Sequence, residues 1–353
     1  MASHELSELR ASINSVLDDF TKARSRALTD IGSELQPVAS AMSEFITDGG
    51  KRFRPIFAYL GYLGTGAAPR HEIVRACTAL ELVHVCALIH DDVMDGSDTR
   101  RNKPAIHKLF QSLHDDQSYE GNSERFGLAS AILLGDLALV WADRLLVESG
   151  ISREEFISAQ EVFSDMRDEL MAGQYLDVLE GALATTSVER SLKVARFKSG
   201  KYSIERPLHF GAALAGKPDF NEVYSRFGLP LGEAFQLRDD LLGVFGDPKI
   251  TGKPAGDDIR EGKRTVLIAI TMENADQSQR NTMTSALGNS QLSEDDVAQV
   301  QEIIVKTGAR DDVEKLITDL TQESISALQQ SPIDEKIRSV LEEMSVIATQ
   351  RSV

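Results

Sequence analysis

The sequence predicts an all-α protein. Apolar residues recur at three- and four-residue spacing through most segments, and strict alternation over strand length is hard to find. Two carboxylate clusters, Asp91-Asp92 with Asp95 and Asp239-Asp240, each close an apolar run of helical period.

Taken in order, the pattern places helices at 4 to 28, 35 to 47, 54 to 64, 71 to 95, 124 to 149, 152 to 180, 187 to 216, 219 to 244, 264 to 275, 293 to 306, 310 to 330 and 333 to 349. Pro55 suits a first turn, Gly150 and Gly308 suit stops, and Ser293 with Asp296 resembles a capping box. Gly200 and Pro207 predict a break or kink within 187 to 216. Two polar stretches interrupt the helices, His114 to Ser123 and Gly246 to Lys263. The second is expected to be a mobile, ligand-covering loop, because glycines permit motion and its lysines can neutralise phosphate; a solvated surface loop is the alternative.

The chain has 353 residues, beyond the usual single-domain size, yet nothing in it reads as a linker, so one large domain or two fused helical halves are both possible, and one domain spanning 1–353 is expected. A hydrophobic share of 42% suits a soluble protein, and no window approaches the roughly 18 unbroken apolar residues of a span, so no stable membrane insertion is expected. The start, MASHELSELR, is acidic and lacks an apolar run, so no secretory signal is expected and the setting reads as cytoplasmic. A net charge of -17 argues against nucleic-acid binding. Cys77 and Cys86 point in nearly opposite directions on one helix, so no disulfide is expected.

The most informative segment runs from Glu81 through His84 and Cys86 to Asp91, Asp92 and Asp95. On a helix Asp91 and Asp95 lie one turn apart on one face, where unpaired they repel and where a hard, octahedral cation can bind both. A plain acidic helix end is electrostatically poor, since the dipole there is already negative. The second cluster, Phe235-Gln236-Leu237-Arg238-Asp239-Asp240, repeats the pattern incompletely, because Gly243 stands four residues after Asp239. Asp247 could join only if the helix continued past Gly246 and Pro248. Gly49-Gly50-Lys51-Arg52-Phe53-Arg54-Pro55 places three cations beside a flexible glycine pair and a helix start, a natural diphosphate cradle. Arg100-Arg101, Lys198, Lys201, Lys253, Lys263 and Arg264 add positive charge.

Together these residues resemble the trans-isoprenyl diphosphate synthases, the polyprenyl synthetase family. The resemblance rests on Gly49 to Pro55, Asp91 to Asp95 with Arg100-Arg101, Gly173-Gln174 with Asp177, Lys198-Ser199, Phe235 to Asp240, and the Lys253 to Lys263 loop. It implies an antiparallel helical bundle of the isoprenoid synthase type around a deep central pocket, usually dimeric. It further implies that Lys51, Arg54, His84 and Arg101 hold the diphosphate of isopentenyl diphosphate. Asp91, Asp95 and Asp239 would bind Mg2+, three ions per active site with Mn2+ able to substitute, and Asp92 and Asp240 would support them. Arg100, Lys198, Lys253 and Lys263 would grip the allylic diphosphate, with Ser199 and Gln236 flanking the allylic cation. The departures are Gly243, where a third aspartate is common, and Asn102, where glycine is common.

In that family the residues four and five before the first aspartate line the tail pocket. Here they are Ala87 and Cys86, both small, and Cys86 lies about 7.5 Å below Asp91. The tail is expected to pass them and stop near Val83, giving C20 geranylgeranyl diphosphate, with farnesyl or longer products as alternatives. A class I terpene cyclase and a catalytically silent partner subunit are the competing classes; the first needs no isopentenyl site, and the second would lack the ligands and cations retained here.

Overall fold

The computed structural model describes residues 2–247 and 255–350, with side-chain surroundings from His4 onward. They form α1 (Ala2–Thr29), α2 (Gln36–Thr47), α3 (Phe53–Gly64), α4 (His71–Asp95), α5 (Ile106–Asp116), α6 (Ser123–Val147), α7 (Arg153–Leu183) and α8 (Val188–Val194). After a π-helix (Ala195–Glu205) come α9 (Arg206–Leu214), α10 (Asn221–Phe245), α11 (Asp257–Glu261), α12 (Val266–Asn274), α13 (Gln277–Ala286), α14 (Glu294–Lys306), α15 (Ala309–Gln329) and α16 (Glu335–Thr349). Among the described residues the strands are one hairpin, β1 (Thr99–Arg100) with β2 (Lys103–Pro104). The fold is all-α, as the periodicity predicts.

The chain divides into two compact units: Met1–Val162 with Pro207–Pro218, and Phe163–Arg206 with Asp219–Val353. In the first, α4 is the central helix, packed on α3, α5, α6 and α1, and from Ile73 to Ile89 most of its side chains are buried. The buried Arg52 guanidinium ties this unit together: it donates to Glu81 on α4 at 2.7 Å, to Asn14 on α1 at 2.9 Å and to the Ile46 carbonyl of α2 at 2.9 Å. Removing one partner would strand the other's charge in the core. In the second unit α10 is central and packs on the π-helix and α15, with a core that includes Leu237, Leu241, Val266, Ile304, Val313 and Ile317.

The structure departs from the pattern-based expectation in several places. α5, α11, α13 and the hairpin were not expected. α5 is a short amphipathic helix that takes the start of the stretch read as a polar interruption from His114. α13 buries only Met283 and Ala286 and is held instead by a capping box between Asp276 and Gln279. At Gly200 the 187 to 216 helix widens into π turns rather than breaking, and Pro207 follows directly after them, at the second position of α9. By length and composition α4 and α6 could each cross a bilayer; the apolar window of α4 is 72% buried and that of α6 39%. α4 is therefore a core helix, whereas Leu133, Val140 and Val147 of α6 are exposed at seven-residue spacing. The expected capping box of Ser293 with Asp296 is present.

Candidate active site

The first unit carries one half of the expected machinery. α4 ends on Gly96 at φ 69°, a left-handed stop that glycine adopts without strain. The chain then enters the hairpin, whose two-residue turn Arg101-Asn102 has φ 53° and 60°, the signature of a type I′ turn. Asparagine tolerates that region, so the departure at Asn102 concerns only the turn. The hairpin returns Arg100 to the end of α4. Its Nε donates to both Asp92 oxygens at 2.8 and 2.9 Å, Nη2 lies 2.6 Å from Asp92 Oδ1, and Asp91 is 3.6 Å away. Asp92 is buried, while Asp91 and Asp95 are partly exposed.

Arg101 donates to the Asp48 carbonyl at 2.8 Å and covers the Phe45 ring. Arg54 is buried, and the Lys51 ammonium lies 5.7 Å from the Phe53 ring. Of the three cations in Lys51-Arg52-Phe53-Arg54, Arg52 faces the core rather than a cradle, as described above. His84 is held well below the usual imidazole range, first by burial and then by the charges of Arg54, Arg101, Arg100 and Arg52. Four guanidinium groups act on one neutral imidazole, and two of them, Arg52 and Arg100, are already paired with carboxylates. His90, beside the aspartates, turns to α6 instead: its Nε2 is 3.0 Å from the Ile132 carbonyl, its Nδ1 3.7 Å from Cys86 Sγ. A Cβ at Gly135 would meet that ring at 2.0 Å, so the glycine makes room for it. Val83, Cys86 and Ala87 lie below Asp91 on α4; the buried Cys86 thiol is pushed up to about 12, by burial and then by Asp136. Trp141 packs edge-on against Phe20 of α1.

The second unit carries the other half. Lys198, in the π-helix, bonds Asp177 of α7 at 2.6 Å. One turn before that aspartate, Gly173 lets the π-helix backbone approach, since a Cβ there would lie 2.3 Å from the Lys198 nitrogen. Gly173 and Asp177 thus seat Lys198, sterically and by charge. Ser199 follows, half-buried. Near the end of α10, Asp239 is exposed and Asp240 buried, and Gln236 Nε2 donates to Asp240 Oδ1 at 2.6 Å. Burial pushes the Asp240 carboxyl well above the ordinary carboxylate range; the charge of Asp258 adds to this, Gln236 opposes it, and Asp239 adds further. Lys263 lies 2.7 Å from Glu261 and 3.3 Å from Asp258. α10 ends at Phe245, so Asp247 does not extend its face. Lys253, and with it much of the expected covering loop, lies outside the described residues. Asp177 and Asp258 were not among the residues expected to act, although Asp177 belongs to the quoted Gly173-Gln174 motif and Asp258 to an acidic doublet in the loop.

Among the described residues no three His, Cys, Asp or Glu side chains converge into a protein-only metal cage. The acid clusters offer carboxylate oxygens alone. That sparse, hard donor set fits Mg2+, which keeps waters and takes substrate phosphate oxygens rather than a full protein shell.

Residues 36–304 match the Polyprenyl synthetase family profile. The chain is 34% identical to the geranylfarnesyl diphosphate synthase of Aeropyrum pernix, over 66% of this chain and 68% of that protein. It is 30% identical to the geranylgeranyl diphosphate synthase of Saccharolobus solfataricus, over 76% of each. Its structure superposes, with a TM-score of 0.95 and 39% identity, on a geranylgeranyl pyrophosphate synthase of Corynebacterium glutamicum complexed with isoprenyl diphosphate and magnesium, covering 98% of this chain and 99% of that one. The chain belongs to the polyprenyl synthetase family. It is a trans-prenyltransferase of isoprenoid biosynthesis.

The buried Asp240 generates a prediction. Its raised pKa means that the folded state holds the proton more tightly than the unfolded state, so this carboxyl opposes folding in full above its folded pKa, progressively less as pH falls from there, and not at all below the unfolded value. In chelator-treated protein, Asp240→Asn should raise the melting temperature at neutral pH, with the gain shrinking as pH falls. Melting curves across pH check this; a lower melting temperature at neutral pH would contradict it.

Proposed function

We propose that the enzyme adds isopentenyl diphosphate to an allylic diphosphate (dimethylallyl, geranyl or farnesyl) and releases chiefly geranylgeranyl diphosphate. Farnesyl diphosphate and a longer prenyl diphosphate are the other products that the same chemistry gives. The observation that carries the reading is the end of α4, where the Asp91 and Asp95 carboxylates stand beside Arg100, turned back onto Asp92, and on the same helix as His84, on whose imidazole arginine charges act. A diphosphate needs both a metal-binding acid pair and fixed cations.

In this reading Lys51, Arg54, His84 and Arg101 bind the isopentenyl diphosphate. Asp91, Asp95 and Asp239 would hold three Mg2+, replaceable by Mn2+, which would stabilise the charge that develops on the departing diphosphate. Arg100 holds Asp92 in place and, with Lys198, Lys253 and Lys263, meets the allylic diphosphate. Asp240 orients the second cluster through Gln236, while Ser199 and Gln236 present polar atoms to the allylic cation. Apolar residues below Asp91 exclude water, so the cation is captured by the isopentenyl double bond; a proton then leaves to the departed diphosphate. A cyclase would need no isopentenyl site, and a silent subunit would have lost these acids and cations.

Incubation with radiolabelled isopentenyl diphosphate and an allylic primer tests the reading. Elongated product is expected from the wild type, and Asp91→Ala, Asp95→Ala or Asp239→Ala should each lower the rate by about a hundredfold or more. Asp247→Ala should be mild, because α10 ends before it. Cyclised product without isopentenyl incorporation, or no turnover, would refute it.

Chain length follows from the small side chains of Cys86 and Ala87. Dephosphorylated wild-type product should be chiefly C20, and Cys86→Phe, which fills space below the acids, should shorten it to C15 or less. An unchanged distribution would remove the pocket from this face of α4.

We also propose one catalytic domain and a cytoplasmic homodimer built on the outer face of α6. Leu133, Val140 and Val147 repeat every seven residues there and are 66%, 61% and 65% exposed, the spacing of a helix-pairing seam. Sedimentation of the purified chain without detergent should give a dimer that Leu133→Asp with Val140→Asp dissociates. A wild-type monomer, or a need for detergent, would contradict it.

A further inference from the structure

His90 has no part in the chemistry proposed above, yet it is built into the seam between α4 and α6. Helical side chains lean toward the N-terminus of their helix, so its ring lies back over Cys86, one turn earlier on the same face. Nδ1 lies 3.7 Å from Cys86 Sγ on one edge of the ring, and Nε2 lies 3.0 Å from the Ile132 carbonyl and 3.9 Å from Asp136 Oδ1 on the other. A carbonyl oxygen only accepts, so Nε2 carries the proton, and Nδ1 of the neutral ring accepts from the thiol. That thiol stays protonated, since burial and then Asp136 push it up to about 12. The ring thus separates Cys86, which has no exposure, from Asp136, which shares the outer face of α6 with Leu133 and Val140. On α6 the room for it is left by Gly135, where a Cβ would fall 2.0 Å from Nε2 and 2.3 Å from Cδ2, inside the ring's own volume. Cys86 and Gly135 are both small, and the imidazole fills the space beside them.

We infer that His90 is a further determinant of product length: its ring closes the tail pocket on the side of α6, beside Cys86. The inference rests on the reading that the prenyl tail passes down α4 below Asp91. Ala87 is partly exposed there, whereas Cys86 next to it is fully covered. A growing apolar chain gains by burial in any dry space it can reach, so a wall one side chain thick sets its limit. Removing the ring leaves a cavity beside Cys86 that opens toward the outer face of α6, and the tail gains length there. A histidine that merely pinned α4 to α6 would govern stability and rate, and the lengths of the products would not depend on it.

Chain-length analysis of dephosphorylated products tests this on the full chain, with melting curves to establish that each variant is folded. His90→Ala should give a chief product longer than that of the wild type by one isoprene unit or more. His90→Asn keeps a polar group toward the Ile132 carbonyl in a smaller side chain, and should shift the product in the same direction. His90→Ala combined with Gly135→Leu puts a side chain from α6 where the ring stood, and should restore the wild-type length. The inference is overturned if folded, active His90→Ala and His90→Asn keep the wild-type product while Cys86→Phe shortens it, or if the refilled double variant still makes the longer product. Unchanged lengths in all of these variants, Cys86→Phe included, would instead refute the pocket reading on which the inference rests.

Discussion

The constraint on which this structure depends is the concentration of negative charge at two helix ends. α4 and α10 each place aspartates in or near the last turns, where the helix dipole is already negative and carboxylates one turn apart repel. A fold can keep such an arrangement only by supplying cations, and each unit does so. Arg100 locks Asp92 through both oxygens, and Lys263 engages Asp258 and Glu261 beside Asp240. The offset is partial, since burial and neighbouring charge still push the Asp240 carboxyl upward. Residual strain of this kind is what a bound cation relieves, so stability is given up where function needs charge.

Backbone geometry delivers the offsetting cations. The type I′ turn at Arg101-Asn102 reverses the chain within two residues, which brings Arg100 back to α4 and leaves Arg101 to bond the carbonyl of Asp48. In the second unit the π-helix shifts the register of its side chains, and Gly173 admits its backbone so that Lys198 reaches Asp177. Small residues at these contacts work by absence, as they do where His90 enters the space above Gly135.

Much of this was legible in the sequence. The helical period located α4 and α10 because both bury apolar stripes, and the acid clusters stood out as charge at the end of apolar runs. What stayed hidden had no such signal. α13 is stabilised by its cap rather than by an apolar face, and the widening at Gly200 depends on a tertiary contact, with Gly232 of α10 at its back. His90 lies next to Asp91 in sequence, yet a helix turns successive residues by about 100°, and it faces α6. Arg52 reads like its neighbours Lys51 and Arg54, but its left-handed backbone and its bond to Glu81 send it into the core. Asp258 lies on α11 rather than α10, and only the folded structure shows its carboxylate against Gly243.

The central claim is that the carboxylates within each acid cluster repel one another until a divalent cation bound with diphosphate neutralises them. The most direct measurement is the melting temperature of the wild-type chain with Mg2+ alone, inorganic diphosphate alone, and both together. Because ligands that bind only the folded state stabilise it by mass action, the pair should raise the melting temperature well beyond the sum of the separate effects. Equal stabilisation by diphosphate without Mg2+, or no shift with both, would contradict the claim.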